Sequence, residues 1–197
     1  MMLIEETPIP DAALPVEAFK AHLRLGSGFG QDDVQTPVLQ SFLRAAIAAI
    51  EARTGKAPIE RAFALSVDDW REPDAHRLPV APVVAVTEVA LIARDGSETP
   101  VDADRYWLER DAMAPRLRAS GSALPRIASQ GTARVRFDAG YAPAFESVPV
   151  DLQQAVMLLA AHFYEYRNDT ALSEGCMPFG VSSLIERFKH IRLGAAQ

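Results

Sequence analysis

Residues 148–167 read VPVDLQQAVMLLAAHFYEYR, and this stretch decides how the rest of the chain must be arranged. Pro149 stands near the start of a helical pattern, and Asp151 lies in its first turn, where the helix dipole favours a negative charge. The apolar residues that recur on one face at helical spacing are Leu152, Val156, Leu159 and Phe163. The other faces are also apolar, with Ala155, Leu158, Ala160 and Ala161. A helix that is apolar nearly all round is predicted to lie buried between partners.

Two helices are predicted before this central one. Pro15 opens a short helix that runs to Arg24. Thr36 is predicted to cap a longer helix that has Pro37 at its first position, and Gly55 to end it.

A last helix is predicted after the turn at residues 178–180. Its apolar stripe consists of Val181, Leu184, Ile185, Phe188 and Ile191, and its charged face of Glu186, Arg187, Lys189 and Arg192. The helix is amphipathic and ends on basic residues.

The middle of the chain has a different pattern, with short β-like runs at 62–67, 83–92, 106–109, 116–118 and 133–137. Asp95-Gly96 lies between two extended segments and indicates a hairpin. The sequence therefore predicts an α+β fold with a mainly α-helical core of about four helices and a small antiparallel β-rich insertion. We expect one domain, 1–197, with the helical core from 15–55 and 149–193 and the insertion at 58–138.

Composition limits the classes of function. The chain has 197 residues, a net charge of −6 and one cysteine. The acidic balance disfavours tight nucleic-acid binding, because phosphate would be repelled. A lone cysteine agrees with a reducing cytosol. We expect no membrane partner, because the N-terminus has no export-signal pattern and no apolar run reaches the ~20 residues that a bilayer requires.

Candidate reactive residues do not form a recognisable motif. His22, His76, His162 and His190 are remote from one another in sequence, and Cys176 has no legible histidine partner. The acidic residues Asp68, Asp69, Glu72 and Asp74 fit a solvated loop balanced by neighbouring arginines better than a cation site. We therefore predict no enzyme activity, no metal and no cofactor. One alternative is a small cytosolic enzyme with a site at the loop 68–76 and a histidine such as His162; another is a soluble regulatory binding module.

Two groups of residues are candidates for contacts with other chains. The end of the central helix carries Phe163, Tyr164, Tyr166 and Arg167, which suit either a subunit interface or packing within the chain. The terminal helix concentrates Arg187, Lys189, His190 and Arg192, and the helix dipole accounts for part of that pattern.

Taken in order, several segments resemble the head-tail connector, or adaptor, family of long-tailed bacteriophages and alphaproteobacterial gene transfer agents. The resemblance covers most of the chain and rests on the joint order of the segments. They are VEAFKAHLR at 16–24 followed by Asp32-Asp33, AAIAAIEARTG at 45–55, LPVAPV at 78–83, FDAGY at 137–141, VPVDLQQA at 148–155, HFYEYR at 162–167 and MPFGV at 177–181.

The resemblance implies a homo-oligomeric ring, dodecameric in the family, at the head-tail junction beneath the portal protein. Such a ring bridges the portal to a tail-side stopper or terminator protein and lets DNA pass through its lumen without specific binding. The family has no catalytic residues to carry over. Its C-terminal segment contacts the portal, which corresponds here to the candidates Arg187, Lys189, His190, Arg192 and Leu193. The implied location is the bacterial cytoplasm during assembly and then the virion or gene transfer agent particle, and the resemblance covers both infectious phages and gene transfer agents.

Overall fold

The computed structural model describes residues 1–25, 32–167 and 177–189. Its α-helices are α1 (Val16–His22), α2 (Asp32–Thr54), α3 (Val150–Glu165) and α4 (Phe179–Ile185). Its strands are β1 (Met2–Glu5), β2 (Arg61–Val67), β3 (Ala75–Arg77), β4 (Val83–Ile92), β5 (Glu98–Pro100), β6 (Tyr106–Glu109), β7 (Arg116–Ala119) and β8 (Thr132–Ala139). Short 3-10 turns lie at Asp11–Ala13, Ala103–Arg105, Phe145–Ser147 and Glu186–Phe188.

The chain forms two compact units. Met1–Pro8 and Glu60–Gly140 make up the first, which we call the β unit. Ile9–Ile59 and Tyr141–Gln197 make up the second, the helical unit. The prediction that the whole chain behaves as one domain stays a prediction.

The β unit contains two antiparallel sheets. The larger has the order β1-β2-β8-β4-β5 and the smaller β3-β7-β6. In β8, buried and half-buried residues alternate, as expected for a strand with one face in a core. Phe137 of β8 lies opposite Phe63 of β2, and the two rings stack with centroids 5.7 Å apart. β8 is thus the strand that joins the two halves of the larger sheet.

The helical unit is built around α3. This helix contacts α1, α2 and α4, which confirms its predicted central position. Its residues Leu152, Val156 and Leu159 are buried in one core cluster with Phe19 of α1 and Leu43 of α2. Burying side chains of this size contributes about 1.5–3 kcal/mol each, so the faces of α2 and α3 hold the unit together.

The α+β class is confirmed, but the description of the fold as mainly helical is not. Among the described residues, strand content is comparable to helix content, so the β part is more than a small insertion. The β unit also takes in residues 1–8, which lie far from the predicted insertion at 58–138. β1 joins the sheet by pairing with β2, a contact between segments about sixty positions apart that local patterns do not reveal.

Two helix boundaries differ from the prediction. α2 begins at Asp32, so Thr36 does not cap it and Pro37 lies inside it. An internal proline costs about 3 kcal/mol, which the long buried face of this helix offsets. α4 begins at Phe179, inside the predicted turn at 178–180, and ends at Ile185. One 3-10 turn follows and Lys189 is extended, so the helix stops earlier than predicted; Ile191 lies outside the described residues. Among the described residues, no helix is long and apolar enough to span a bilayer.

Candidate functional site

The predicted subunit-interface residues lie together at the end of α3. Tyr164 is half-buried and meets Phe42 of α2 edge-on, with ring centroids 5.9 Å apart and planes at 84°. The guanidinium carbon of Arg167 lies 4.6 Å from the centre of the Tyr164 ring, in cation-π geometry. Phe163 packs against the core cluster. Phe163 and Tyr164 therefore serve the fold, at least in part.

Tyr166 has a different position on the same helix end. It is 46% exposed, and its ring centroid lies 4.7 Å from that of His162. Tyrosine exposed next to a second ring is typical of a contact surface, because its apolar body and hydroxyl both suit a protein partner. Val150 and Phe179, at the starts of α3 and α4, are further exposed apolar residues of the helical unit. Neither residue belongs to the two groups of predicted contact residues.

The portal-contact candidates are only partly within the described residues. Arg187 Nε lies 2.9 Å from Asp151 Oδ2, and its guanidinium stacks 4.7 Å from the Phe188 ring centre. Lys189 Nζ lies 2.6 Å from Glu186 Oε2. Both cations are solvent-accessible, so their ion pairs contribute little to stability and leave them able to meet a partner. His190, Arg192 and Leu193 lie outside the described residues.

The acidic loop considered as an enzyme site has its charges balanced by ion pairs. Arg116 Nη1 lies 3.3 Å from Glu72 Oε2, and Arg118 Nη1 lies 3.0 Å from Asp74 Oδ2. His76 is buried, and burial lowers its pKa below the usual value. These contacts agree with the interpretation of a self-balanced loop. Across the ranges that the structure describes, no three His, Cys, Asp or Glu side chains converge as metal ligands.

His76 itself has structural contacts. Its Nδ1 accepts a 3.4 Å hydrogen bond from the backbone N–H of Arg71, and its ring meets Trp70 edge-on at 5.4 Å. The Trp70 indole N–H donates to the carbonyl of Pro125 at 2.8 Å. These contacts connect the loop to the smaller sheet and give the histidine a structural role.

The surface that sequence analysis missed is the outer edge of β1. Met2, Leu3 and Ile4 are 56%, 39% and 46% exposed, although β1 is paired with β2 on its other side. The strand is fixed by Glu5, whose Oε1 lies 2.9 Å from the Nε of the buried Arg61, and by Glu6, whose Oε1 lies 3.0 Å from Arg136 Nε. The only sequence signal was the apolar start of the chain.

These features define a class of protein. Two compact units carry exposed aromatic, apolar and basic side chains, and Glu72, Asp74 and His76 of the candidate loop are engaged in structural contacts. That combination is typical of a structural component of an assembly, which functions through the surfaces that contact other proteins.

Comparisons with solved structures identify the assembly. The chain is 48% identical, with a TM-score of 0.90, to a chain in the neck of an empty gene transfer agent (GTA) particle computed with C6 symmetry. It is 47% identical (TM-score 0.86) to a chain in the virion of a native GTA particle, and 45% identical (TM-score 0.84) to one in the neck of a native GTA particle computed with C12 symmetry. Each match covers 100% of this chain and 99% of the matched chain.

The chain therefore belongs to a family of structural proteins of gene transfer agent particles. This identification favours the gene transfer agent among the two kinds of particle that the resemblance covered. No family model matches the sequence, and no curated protein matches it.

Proposed function

We propose that this protein is the head-tail adaptor of a gene transfer agent particle, where it forms a ring in the neck between the portal and the tail-side connector proteins. The observation that carries the proposal is the full-length identity of 45–48% to chains of GTA necks and virions. Identity at that level over the whole chain supports conserved contact surfaces as well as a conserved fold.

The proposed ring contains twelve copies in contact through different faces of neighbouring subunits. The C6 and C12 symmetries of the related necks support a cyclic arrangement. A cyclic ring requires a heterologous interface, in which one face of each copy meets another face of the next. The Tyr166 end of α3 is proposed as one of these faces.

The proposed contact with the portal lies at the C-terminal end of the helical unit. Arg187 and Lys189 are the described members of this group. Their ion-pair partners are on the same unit and partly exposed, so exchanging them for carboxylates of another protein has a small energetic cost.

The net charge of the chain supports passage of DNA through the ring. With −6 per subunit, a lumen lined by acids repels phosphate instead of retaining it. We expect the protein to be made in the bacterial cytoplasm and then to reside in the particle neck.

The test is electron microscopy of particles from a strain that lacks this protein, with heads and tails counted separately. We expect filled heads and free tails that fail to join, and restoration of joined particles by a plasmid copy of the gene. Normally joined particles from the deletion strain would overturn the proposal. Joined particles that fail to deliver DNA would instead indicate a function after assembly.

A further inference from the structure

Among the described surfaces of the β unit, the outer edge of β1 is the one best suited to pairing with a strand of another chain. Three successive large apolar residues, Met2, Leu3 and Ile4, are exposed along a strand at the end of the larger sheet. Apolar edge strands offer backbone groups to other chains, and natural proteins usually protect them with lysine, proline or a covering segment. β1 has neither lysine nor proline.

The hydrogen-bond alternation of β1 shows which backbone groups face outward. Glu6 N–H donates to the carbonyl of Ala62 at 2.9 Å, and Glu5 is directly opposite Phe63. In an antiparallel pair, bonded and non-bonded positions alternate, so Ile4 bonds to β2 and the N–H and C=O of Leu3 and Glu5 point away from it. Each of these two residues presents one donor and one acceptor at the open edge.

Besides β1, three strands end the two sheets among the described residues, and two of these strands are unsuited to pairing with another chain. On β5, the bonds from Val101 N–H to Val89 O at 2.8 Å and from Ala93 N–H to Ser97 O at 2.9 Å turn Pro100 outward, where it has no N–H to donate. On β3, the outward N–H and C=O of Ala75 are already engaged with the backbone of Glu72 at 3.3 Å, so this residue is not free to pair with another chain.

The remaining edge is the outer side of β6. Ser120 N–H donates to Arg105 O at 3.0 Å, and the same alternation turns Tyr106 and Leu108 outward. β6 contains no proline, and its Trp107 is 49% exposed. Its length of four residues equals that of β1.

We propose that β1 of each subunit pairs with the outer edge of β6 of the next subunit, which makes a continuous sheet contact around the ring. The proposal rests on the ring of the proposed function. β1 and β6 are different edges, so their pairing is heterologous and can close into a cyclic assembly. Antiparallel pairing of β1 with β1 of a neighbouring copy requires a two-fold axis between the two copies, and neighbours in a C6 or C12 ring are not related by such an axis.

The placement of the two edges within the β unit suits this arrangement. β6 contacts β4, while β1 lies beyond β2 and β8 at the other end of the larger sheet. Three strand spacings, about 14 Å, separate β1 from β4 in the plane of the sheet. β1 and β6 therefore lie in different parts of the β unit, as contacts with two different neighbours require.

In antiparallel pairing over all four residues, Leu3 lies opposite Leu108 and Glu5 opposite Tyr106. Both are bonded pairs, with a Cα separation of about 5.5 Å that a disulfide can span. The first test is a Leu3→Cys/Leu108→Cys variant in a Cys176→Ser background, assembled into particles and oxidised. We expect a ladder of disulfide-linked multimers of this chain, and only monomers from either single variant.

The outcomes separate this inference from the proposed function. Necks that contain the ring but yield no ladder, or a link from Leu3→Cys to another protein, overturn the β1–β6 pairing and leave the adaptor role intact. Particles that contain no ring of this chain overturn the proposed function itself.

Hydrogen exchange supplies a second, independent test on the native protein. In the isolated chain, the amides of Leu3 and Glu5 should exchange freely while those of Ile4 and Glu6 are protected. In assembled particles, Leu3 and Glu5 should slow by about tenfold or more, the effect of gaining a hydrogen bond. Equal exchange of Leu3 and Glu5 in both states would contradict strand pairing.

A proline variant removes the outward donor alone. Leu3→Pro deletes an N–H that β2 does not use, so the chain should fold, whereas the yield of joined particles should fall about tenfold. The control, Leu3→Val, keeps both the donor and an apolar side chain and should assemble normally. Full assembly of Leu3→Pro particles would overturn the inference; if that variant does not fold, the cross-link and the exchange rates decide.

Discussion

Substitutions of Tyr164 and Tyr166 can separate effects on stability from effects on assembly, because the same change to alanine can be made at two nearby positions at the end of α3. Tyr164→Ala removes an edge-to-face pair with Phe42, worth about 0.5–1.5 kcal/mol, and the stacking of Arg167, worth about 0.5–1 kcal/mol. Loss of its half-buried ring adds about 1 kcal/mol. We expect the free energy of unfolding to fall by roughly 2–3 kcal/mol, which lowers Tm by about 5–10 °C.

Tyr166→Ala should have little effect on stability but should impair assembly. The ring is 46% exposed and contacts His162, so its removal should cost less than about 1 kcal/mol of stability. At a subunit interface, however, a tyrosine contributes about 2 kcal/mol or more per contact, and the loss recurs at every contact of a ring. Joining of heads to tails should therefore fail although the isolated protein is stable.

The assay measures thermal unfolding of each purified variant and counts joined particles by microscopy after complementation of the deletion strain. Tyr164→Phe is the control for the first variant, since it keeps the ring and should retain nearly all stability. If Tyr166→Ala destabilises the chain as much as Tyr164→Ala, or supports normal joining, the separation of roles is wrong.

Three further predictions concern other parts of the chain. Burial lowers the pKa of His76, so as the pH falls the histidine is protonated in the unfolded state before it is protonated in the folded state. The free energy of unfolding should therefore decrease below about pH 6.5. Urea titrations at pH 7 and pH 5 should show a smaller decrease for His76→Gln than for the wild type. Gly131→Ala would place a Cβ 2.7 Å from the carbonyl oxygen of Ile92, so we expect a loss of about 1–3 kcal/mol in denaturant unfolding; wild-type stability would contradict that. Arg187→Ala should cost less than about 1 kcal/mol yet impair head-tail joining, whereas Asp151→Asn, which breaks the same ion pair but keeps the cation, should join normally; equal defects would refute a portal contact.

Much of the β unit was predictable because the residue pattern that identifies each of its main strands lies within the strand itself. The predicted runs 83–92 and 106–109 coincide with β4 and β6, and the hairpin at Asp95-Gly96 connects β4 to β5. α3, the helix predicted within residues 148–167, begins after Pro149 as expected. In each case the residues that fix the element lie within or next to it.

The parts that sequence did not predict depend on distant contacts. β1 has only four residues and no clear alternation, and it is ordered by pairing with β2 and by the ion pair of Glu5 with Arg61. The start of α2 was misplaced because Thr36-Pro37 has the usual pattern of a helix start. For the candidate site, sequence grouped Tyr164 with Tyr166, but only packing against Phe42 distinguishes the half-buried ring from the exposed one.

The position of β8 has a consequence for synthesis of the protein. Among the described strands, β8 is synthesised last, yet it lies between β2 and β4, which precede it by dozens of residues. Until β8 has been synthesised, β2 and β4 both lack the strand that lies between them in the sheet, and contacts of such high sequence separation form slowly. During that interval the chain is most exposed to association with other nascent chains. A cell that makes many copies for one set of particles therefore has reason to control how fast this segment is translated and what covers it in the meantime.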